Sequence, residues 1–599
     1  MERKLKYSDL VSQWLNELGY THCFYVAGGG IMHLLDGVRK NFVCIPVVHE
    51  VTAGISAEHF NECSIEGSRA FALVTTGPGL TNILTAVAGC YVEHRPLLVI
   101  AGQVKSTDML TFPERQRGVQ EIAGTSICKP ITVRSECLRK PIDKSHFTSL
   151  VRLAHEPHPG PVVIEICLDV QGAQVDYDKL HSDESEVIST SIAVSKEDTE
   201  KILQLAKNAL RPIILLGGLV SRVMAWEALP YFEKLGLPVA TTTSAIDRIH
   251  SGSPVFAGRP GTWGGQRAAN LIIAQADLVI AVGAQLDLQQ TGFNYAEYAP
   301  QANLVHVFPS NAELRRVGPL AFLKVLATPD LFLDTVLRRI CWVDHYGWGD
   351  YVREVRATLP SIELANTCKE EYVSSFRFLA NLSKATAPTD ILALCSSGGT
   401  FTGALQNYEL GCRQIATTSA AHASMGYGLA TAIGAAFANQ GRRVVLTEGE
   451  GGFCQNLQEL AIIKRYSLPI KIFIIDNQGY ASIRATQKKF FGGHYLGCDP
   501  KTGLGFPDWI KLFNAYDIPC RFLEQGECET GMLQAVLEHR TGPEAWIVRV
   551  DPDQTNWPSV ATSLSIDGTL KSRPLYDMLP RLSDETLSIV GRYLPRPLN

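Results

Sequence analysis

None of the fifteen cysteines in this 599-residue chain is spaced as a CxxC pair. That spacing excludes the zinc ribbons and thioredoxin-like redox motifs that such pairs announce. The N-terminus, MERKLKYSDLVSQWLNELGY, reads as an amphipathic helix without the apolar core and cleavage site of a secretory leader. The thiols, scattered through apolar segments, are therefore expected to be free in a reducing cytoplasm. An excess of one charge is also lacking. A net charge of -5 and a pI near 6.3 give no electrostatic case for nucleic acid or an anionic membrane. No run of about 18 uninterrupted apolar residues exists to span a bilayer. The nearest approach, 416–438, is broken by Thr417, Thr418, Ser419, His422 and Ser424, and reads as a turn leading into a buried small-residue helix. There is no short-period repeat and no low-complexity tract.

What is present is core-forming material: 46% of the residues are hydrophobic and 19% charged. That length suits roughly three or four domains. Short apolar runs without strict alternation recur at 23–26, 43–47, 70–74, 97–101 and 162–166. They recur again at 212–216, 239–241, 278–282 and 304–307, and at 444–447, 470–475 and 545–550. Runs of this kind, separated by helical spacing, predict parallel sheets covered on both faces. The expected class is α/β, with three doubly wound parallel-sheet domains at 1–175, 197–340 and 386–555 and a tail at 556–599. A polar linker is expected near 177–196, a polar, helical one near 345–385, and a helix near 585–593.

The most informative stretch is 444–480. Strand, helix and strand make one βαβ unit whose strand ends carry Glu450 and Asn477. Ligands of open α/β sheets collect at such ends. Glu450, Asn477 and the Gly479 carbonyl are hard oxygen donors, and the glycine-rich turn 449–452 suits phosphate, so together they point to a divalent cation against a diphosphate. An ordinary crossover with a turn glycine cluster fits the same residues equally well. Farther upstream, Glu50 stands where an apolar run passes into a helix. It is either a helix-terminal carboxylate or a carboxyl placed to exchange a proton.

The two features together resemble the thiamine-diphosphate-dependent enzymes of the acetolactate synthase and pyruvate decarboxylase group. His49-Glu50-Val51-Thr52-Ala53 matches that family's HE-x-x-A pattern. Gly449-Glu450-Gly451 matches its GDG, and Asp476-Asn477 its NN pair. Thr76-Gly77-Pro78-Gly79-Leu80-Thr81-Asn82, Ala101-Gly102-Gln103-Val104, Val119-Gln120-Glu121 and Ser424-Met425-Gly426-Tyr427-Gly428 follow in the family's order, so the resemblance covers nearly the whole chain. It implies Mg²⁺ held by Glu450, Asn477 and the Gly479 carbonyl, and a cofactor bound at Gly449, Gly451, Gly452, Phe453, Gly479 and Tyr480. Met425 would bend the cofactor. Glu50, reaching in from a partner subunit, would promote the imino tautomer that removes the thiazolium C2 proton. His422 and His33 are candidate proton carriers for an acceptor, with a core or surface role as the alternative for each.

The sequence also departs from the family. Glu450 replaces the usual aspartate. At the position of the tryptophan that limits the acceptor pocket of acetolactate synthases, 483–487 offers Thr486 or Arg484. Only the lysine of Cys128-Lys129 survives from a Thr-Lys pair. The arginines of the flavin-contacting pattern are missing from 283–289, removing partners for flavin phosphates, while the loop 258–262 speaks for a flavin, so FAD stays open. The implied activity is decarboxylation of a pyruvate-like 2-oxo acid and transfer of the acyl unit to a carbonyl acceptor, larger than a second pyruvate, for example a keto-sugar. The alternatives are a simple decarboxylase releasing aldehyde and a non-catalytic relative. The expected assembly is a homodimer or homotetramer with sites at the subunit interface.

Overall fold

The computed structural model describes residues 4–110, 113–181, 191–564 and 570–595. Three six-stranded sheets are built within them, and every pairing inside these sheets is parallel. The first holds β1 Tyr20–Tyr25, β2 Val43–Pro46, β3 Arg69–Val74, β4 Leu97–Gln103, β5 Arg134–Leu138 and β6 Pro161–Cys167, in the spatial order β2-β1-β3-β4-β6-β5. The second holds β7 Pro212–Leu216, β8 Val239–Thr241, β9 Phe256–Gly258, β10 Leu278–Val282, β11 Asn303–Phe308 and β12 Leu323–Leu326, ordered β9-β8-β7-β10-β11-β12. The third holds β13 Ile391–Leu394, β14 Ile415–Thr417, β15 Val444–Gly449, β16 Ile470–Asp476, β17 Cys520–Phe522 and β18 Glu544–Arg549, ordered β14-β13-β15-β16-β18-β17. The first and third sheets thus repeat one strand order. The middle sheet has the dinucleotide-fold order instead.

Burial explains which strands the sequence announces. β4 and β6 are buried at every position and read as apolar runs, interrupted only by Gln103 at the end of β4 and Glu165 within β6. β5 (RSECL) and β17 (CRF) are edge strands with mostly solvent-touched residues, and β9 and β14 have three residues each. Strands that polar carry no run to detect, and three-residue strands give only a weak one, found at β8 and missed at β9 and β14.

The first and third sheets share one core. Phe24, Ile45 and Val99 belong to the same buried cluster as Ile391, Val444 and Ile547. The joint is the contact between helices Glu50–Cys63 and Tyr427–Ala438. Ser56 Oγ donates to the Ala430 carbonyl at 2.9 Å. A Cβ on Gly434 would lie 2.3 Å from the Ser56 carbonyl oxygen, so only glycine lets these backbones approach.

The middle sheet has its own core, to which the C-terminal residues return: Val560, Leu575, Met578 and Val590 are buried in it. The polar, helical linker expected at 345–385 does hold two helices, but they are packed into cores rather than free-standing. Trp348–Thr358 buries Trp348, Tyr351, Val352 and Val355 in the middle core, and Ser375–Ala385 packs Phe378 and Leu379 beside Phe473 of the third sheet. Both are amphipathic, so their charged faces read as linker while their apolar stripes are core. Of the other expected linker, residues 182–190 lie outside the described residues. The tail helix spans Asp584–Val590. No helix among the described residues is long and apolar enough to cross a membrane. All fifteen cysteines are free, and no cluster of three or more His, Cys, Asp or Glu residues among the described residues is arranged to hold a metal.

Candidate active site

β15 and β16 are neighbours in the interior of the third sheet, and their C-terminal ends carry the residues singled out in the sequence. Glu450 opens the helical turn Glu450–Phe453 and is 1% exposed. Its Oε1 accepts the backbone N–H of Gly479 at 2.7 Å and of Asn477 at 3.1 Å. Burial, with the Asp476 charge behind it, pushes this carboxyl up to about 8. The carboxyl therefore lies within hydrogen-bonding reach of the backbone of both other expected cation ligands.

The space beside it exists because residue 451 has no side chain. A Cβ on Gly451 would lie 2.2 Å from the Tyr480 ring and 3.1 Å from Met425 Cε, so these three residues converge. Gly452 and Gly428 are pinned by Glu448. A Cβ would meet its carboxyl oxygens at 2.5 Å and 2.1 Å respectively, and burial raises Glu448 to about 8. Gly449 precedes the turn in extended backbone, with only Thr400 Oγ1 within reach of a Cβ. The Phe453 side chain is wholly buried against Trp509 and Phe513, which leaves only its backbone for a ligand.

Glu50 is the first residue of helix Glu50–Cys63, is 8% exposed, and accepts a hydrogen bond from Asn82 Nδ2 at 3.0 Å. The peptide leading into it is fixed from the third sheet. The Glu459 carboxylate accepts the N–H of Val48 at 3.2 Å and of His49 at 3.0 Å. Within one chain, no hydrogen bond among the described residues joins the Glu50 side chain to Glu450, Asn477 or Gly479.

His422 is half-buried on the loop before Met425, which turns through positive φ at Ala423 and Gly426. That loop is anchored by Glu93 of the first domain, which accepts the Ala421 N–H at 2.5 Å, and by Ser396 Oγ, which donates to the Ser424 carbonyl. His33 is elsewhere, with its ring backed by Gly172, where a Cβ would lie 2.9 Å from Nε2.

On helix Ala481–Phe490, Ile483 and Thr486 are exposed while Arg484 is buried at 8% exposure. The Arg484 guanidinium donates to the carbonyls of Asn477 (2.7 Å), Gln478 (3.1 Å), Pro552 (3.1 Å) and Cys498 (3.3 Å), and to Asn477 Oδ1 (3.4 Å). It is therefore tied beneath the ligand loop, in contrast to the acceptor-side position considered from sequence. Glu459 and Glu93 were missed as site-shaping residues and Arg484 was given another role, since their partners are remote or local backbone groups that no motif records.

Residues 5–127 match the thiamine pyrophosphate enzyme N-terminal TPP binding domain, 199–336 the central domain and 397–543 the C-terminal TPP binding domain. The chain belongs to the thiamine pyrophosphate enzymes. Among its relatives, the acetolactate synthase isozyme 2 large subunit of Escherichia coli (strain K12) is 25% identical over 573 residues, covering 92% of this chain and 98% of that protein. The acetolactate synthase of Arthrospira platensis is 27% identical over 572 residues, covering 91% and 94%. Acetolactate synthase 2, chloroplastic, of Zea mays is 26% identical, covering 86% and 81%.

This thiamine pyrophosphate enzyme also has a cleft at the C-terminal edge of its middle sheet, where dinucleotides lie in folds of this order. Gly218, Thr242, Gly283, Asp287 and Phe308 line it, Glu93 and Ala421 close it from the other two domains, and its volume is about 30 Å³. Arg259 of the 258–262 loop is turned away to the Leu405 and Tyr408 carbonyls, both at 2.7 Å.

Proposed function

We propose that this thiamine pyrophosphate enzyme is a Mg²⁺-dependent carboligase that decarboxylates a pyruvate-like 2-oxo acid and transfers the acyl unit to a carbonyl acceptor. The observation that carries the reading is the convergence of Glu450, Asn477 and Gly479 at two adjacent strand ends, beside a hollow that exists only because residue 451 is glycine. These donors fit a divalent cation: all are oxygens, and ionising the buried Glu450 carboxyl becomes favourable once a cation is its neighbour. The amides of Gly451, Gly452 and Phe453 at the start of the turn fit a diphosphate, and the Met425 and Tyr480 side chains fit the flanks of the cofactor. Thiamine diphosphate bound there supplies the electron sink for losing CO₂ from a 2-oxo acid.

The chain's own residues do the rest. Glu50, held in place by Asn82 and by Glu459 beneath its approach peptide, exchanges a proton with the cofactor of a second copy. Sites therefore form between subunits of a homodimer or homotetramer. His422, on the loop before Met425, moves protons for the acceptor, and His33 stays the weaker candidate. The reading assigns no role to a flavin, for whose phosphates the residues lining the middle cleft offer no cationic side chain.

The exposed Ile483–Thr486 face, with no tryptophan over it, supports an acceptor larger than a second pyruvate, such as a keto-sugar. The same openness is compatible with a simple decarboxylase that releases aldehyde. Product analysis with pyruvate and a panel of ketone and aldehyde acceptors separates the two: a C–C-bonded product is expected, and acetaldehyde alone would refute the carboligase. Glu50→Gln is expected to leave thiamine diphosphate binding within about threefold while slowing cofactor C2–H exchange by 10²-fold or more, an effect of general acid–base size. Unchanged exchange by NMR would remove Glu50 from its role.

A further inference from the structure

Behind the loop that carries His422 and Met425 lies a cluster of buried charge drawn from the other two domains. The first domain supplies Glu58, Glu62, Glu93 and Arg95, and the middle domain Arg222, Asp247 and Arg248. They form one network. Arg95 meets Glu58 at 2.9 Å, Glu93 at 3.9 Å and Glu62 at 4.0 Å. Glu62 meets Arg222 at 2.9 Å and Arg248 at 3.3 Å, and both of these guanidiniums pair with Asp247. The third domain adds only backbone to it. Asp247 accepts the Ala416 N–H at 2.9 Å, Arg222 donates to the Ala416 carbonyl at 3.2 Å, and Arg95 donates to the Thr418 carbonyl at 2.7 Å. Glu93 accepts the Ala421 N–H through Oε1 and the Ser244 hydroxyl through Oε2. The cluster thus grips the approach to the loop at residues 416, 418 and 421.

Its charges do not balance, because four carboxyl groups face three guanidiniums. Buried charges are ordinarily paired, and a buried carboxyl short of a partner takes up a proton instead. Geometry identifies that carboxyl as Glu58. It is 1% exposed, shares its Arg95 partner with Glu93 and Glu62, and keeps Oε2 buried without a hydrogen-bond partner. Against the cost of burial, by contrast, Arg222, Arg95 and Arg248 hold Glu62 at about 2. The other titratable groups around Glu58 bring no positive charge. Burial keeps the Cys90 thiol and the Tyr427 hydroxyl protonated, and burial with the Arg95 charge keeps His59 neutral. Burial lifts Glu58 to about 7 in spite of Arg95, and the Glu93 charge adds to the rise.

We propose that Glu58 and Arg95 are positioning residues for the cofactor-site loop, and that a single proton on Glu58 balances the cluster and so holds Thr418 and Ala421, and with them His422 and Met425, in place. Loss of that proton leaves one negative charge in excess. The excess repels Glu93, which shares Arg95 with Glu58, away from the Ala421 N–H. The loop is therefore held firmly below about pH 7 and loosely above it. The positioning role rests on the reading of Met425 as a flank of the cofactor.

Hydrogen–deuterium exchange of the 416–424 backbone, in the full chain without cofactor and corrected for intrinsic rates, tests this latch without assuming a reaction. Protection in wild type is expected to fall by about tenfold between pH 6 and pH 8.5, the span of one titrating carboxyl. Glu58→Gln, neutral throughout, should make protection independent of pH. Glu93→Gln should do the same, since it balances the cluster with Glu58 ionised and still offers an acceptor to the Ala421 N–H. Calorimetric titration of thiamine diphosphate with Mg²⁺ at both pH values supplies the second readout. The ratio of wild-type to Glu58→Gln affinity, from which the titration of the cation ligands cancels, should fall by about threefold as pH rises. Protection that does not change with pH in wild type, or changes equally in both variants, overturns the latch. Protection that changes while the affinity ratio stays constant overturns the positioning role. No thiamine diphosphate binding at either pH overturns the reading of the site, and the positioning role with it.

Discussion

Glu165 on β6 shows what burial does to one carboxyl in this molecule. It accepts from Gln103 Nε2 at 2.8 Å and from the Thr125 N–H at 2.9 Å, and burial still raises it to about 7. The folded state therefore holds this proton more tightly than the unfolded chain does, where the group titrates near 4.5. Stability from this group is fully present below about 4.5 and is lost as pH rises to about 7. The difference in unfolding free energy between wild type and Glu165→Gln, measured by urea titration, should shift by up to about 3 kcal/mol against wild type between pH 4.5 and 7.5. A difference that does not move with pH would show the carboxyl to be ionised throughout. Positions were legible from sequence where residues sit beside their own strand ends, as at Glu450, Asn477 and Gly479, which the fold brings together. They were not legible where a side chain serves remote or neighbouring backbone: nothing local says that Arg484 binds the carbonyls of the ligand loop rather than facing substrate.

At the level of elements, the βαβ unit of β15 and β16 does two tasks. One end presents Glu450 and Asn477, and a few residues on, Glu459 holds the peptide that enters helix Glu50–Cys63. Glu459→Ala removes the acceptor of the Val48 and His49 N–H groups and is expected to cost about 0.5–1.5 kcal/mol in stability for each hydrogen bond lost. A positioning role makes a sharper demand. The variant should lose at least tenfold in cofactor C2–H exchange with little change in thiamine diphosphate affinity, and Glu459→Gln, which can still accept those N–H groups, should recover most of it. Equal loss in both variants would leave Glu459 with a purely structural part. This link was invisible in sequence because its ends lie 411 residues apart. The strand skeleton was largely visible, since β3, β4, β6, β10 and β16 are mainly apolar, broken only by Arg69, Gln103, Glu165, Lys471 and Asp476. The edge strands β5, β12 and β17 escaped because solvent-facing positions break their pattern.

Across the whole molecule, buried ion pairs knit the three domains. Arg95 meets Glu58 at 2.9 Å and donates to the Thr418 carbonyl at 2.7 Å, while Arg222 pairs with Asp247 at 2.6 Å and with Glu62 at 2.9 Å. The C-terminal tail belongs to this scale, since it completes the middle core rather than trailing from it. Gln275 Nε2 donates to the Val590 carbonyl at 2.9 Å, and the Tyr593 N–H donates to Gln275 Oε1 at 2.8 Å. Removing residues 556–599 should expose the apolar middle-core surface that Leu575, Met578 and Val590 cover. We expect increased binding of a hydrophobic dye and a drop in melting temperature of several degrees, the shift that a few kcal/mol produces in a domain of this size. An unchanged melting temperature would mean that the tail is only docked.

The core shared by the first and third sheets also sets a timetable for synthesis. The first domain buries one face of its helix Glu50–Cys63 only against helix Tyr427–Ala438, which leaves the ribosome about 250 residues later, roughly 10–50 s at ordinary elongation rates. During that interval its apolar face has no native partner. The nascent chain is thus a client for a chaperone until its second half arrives.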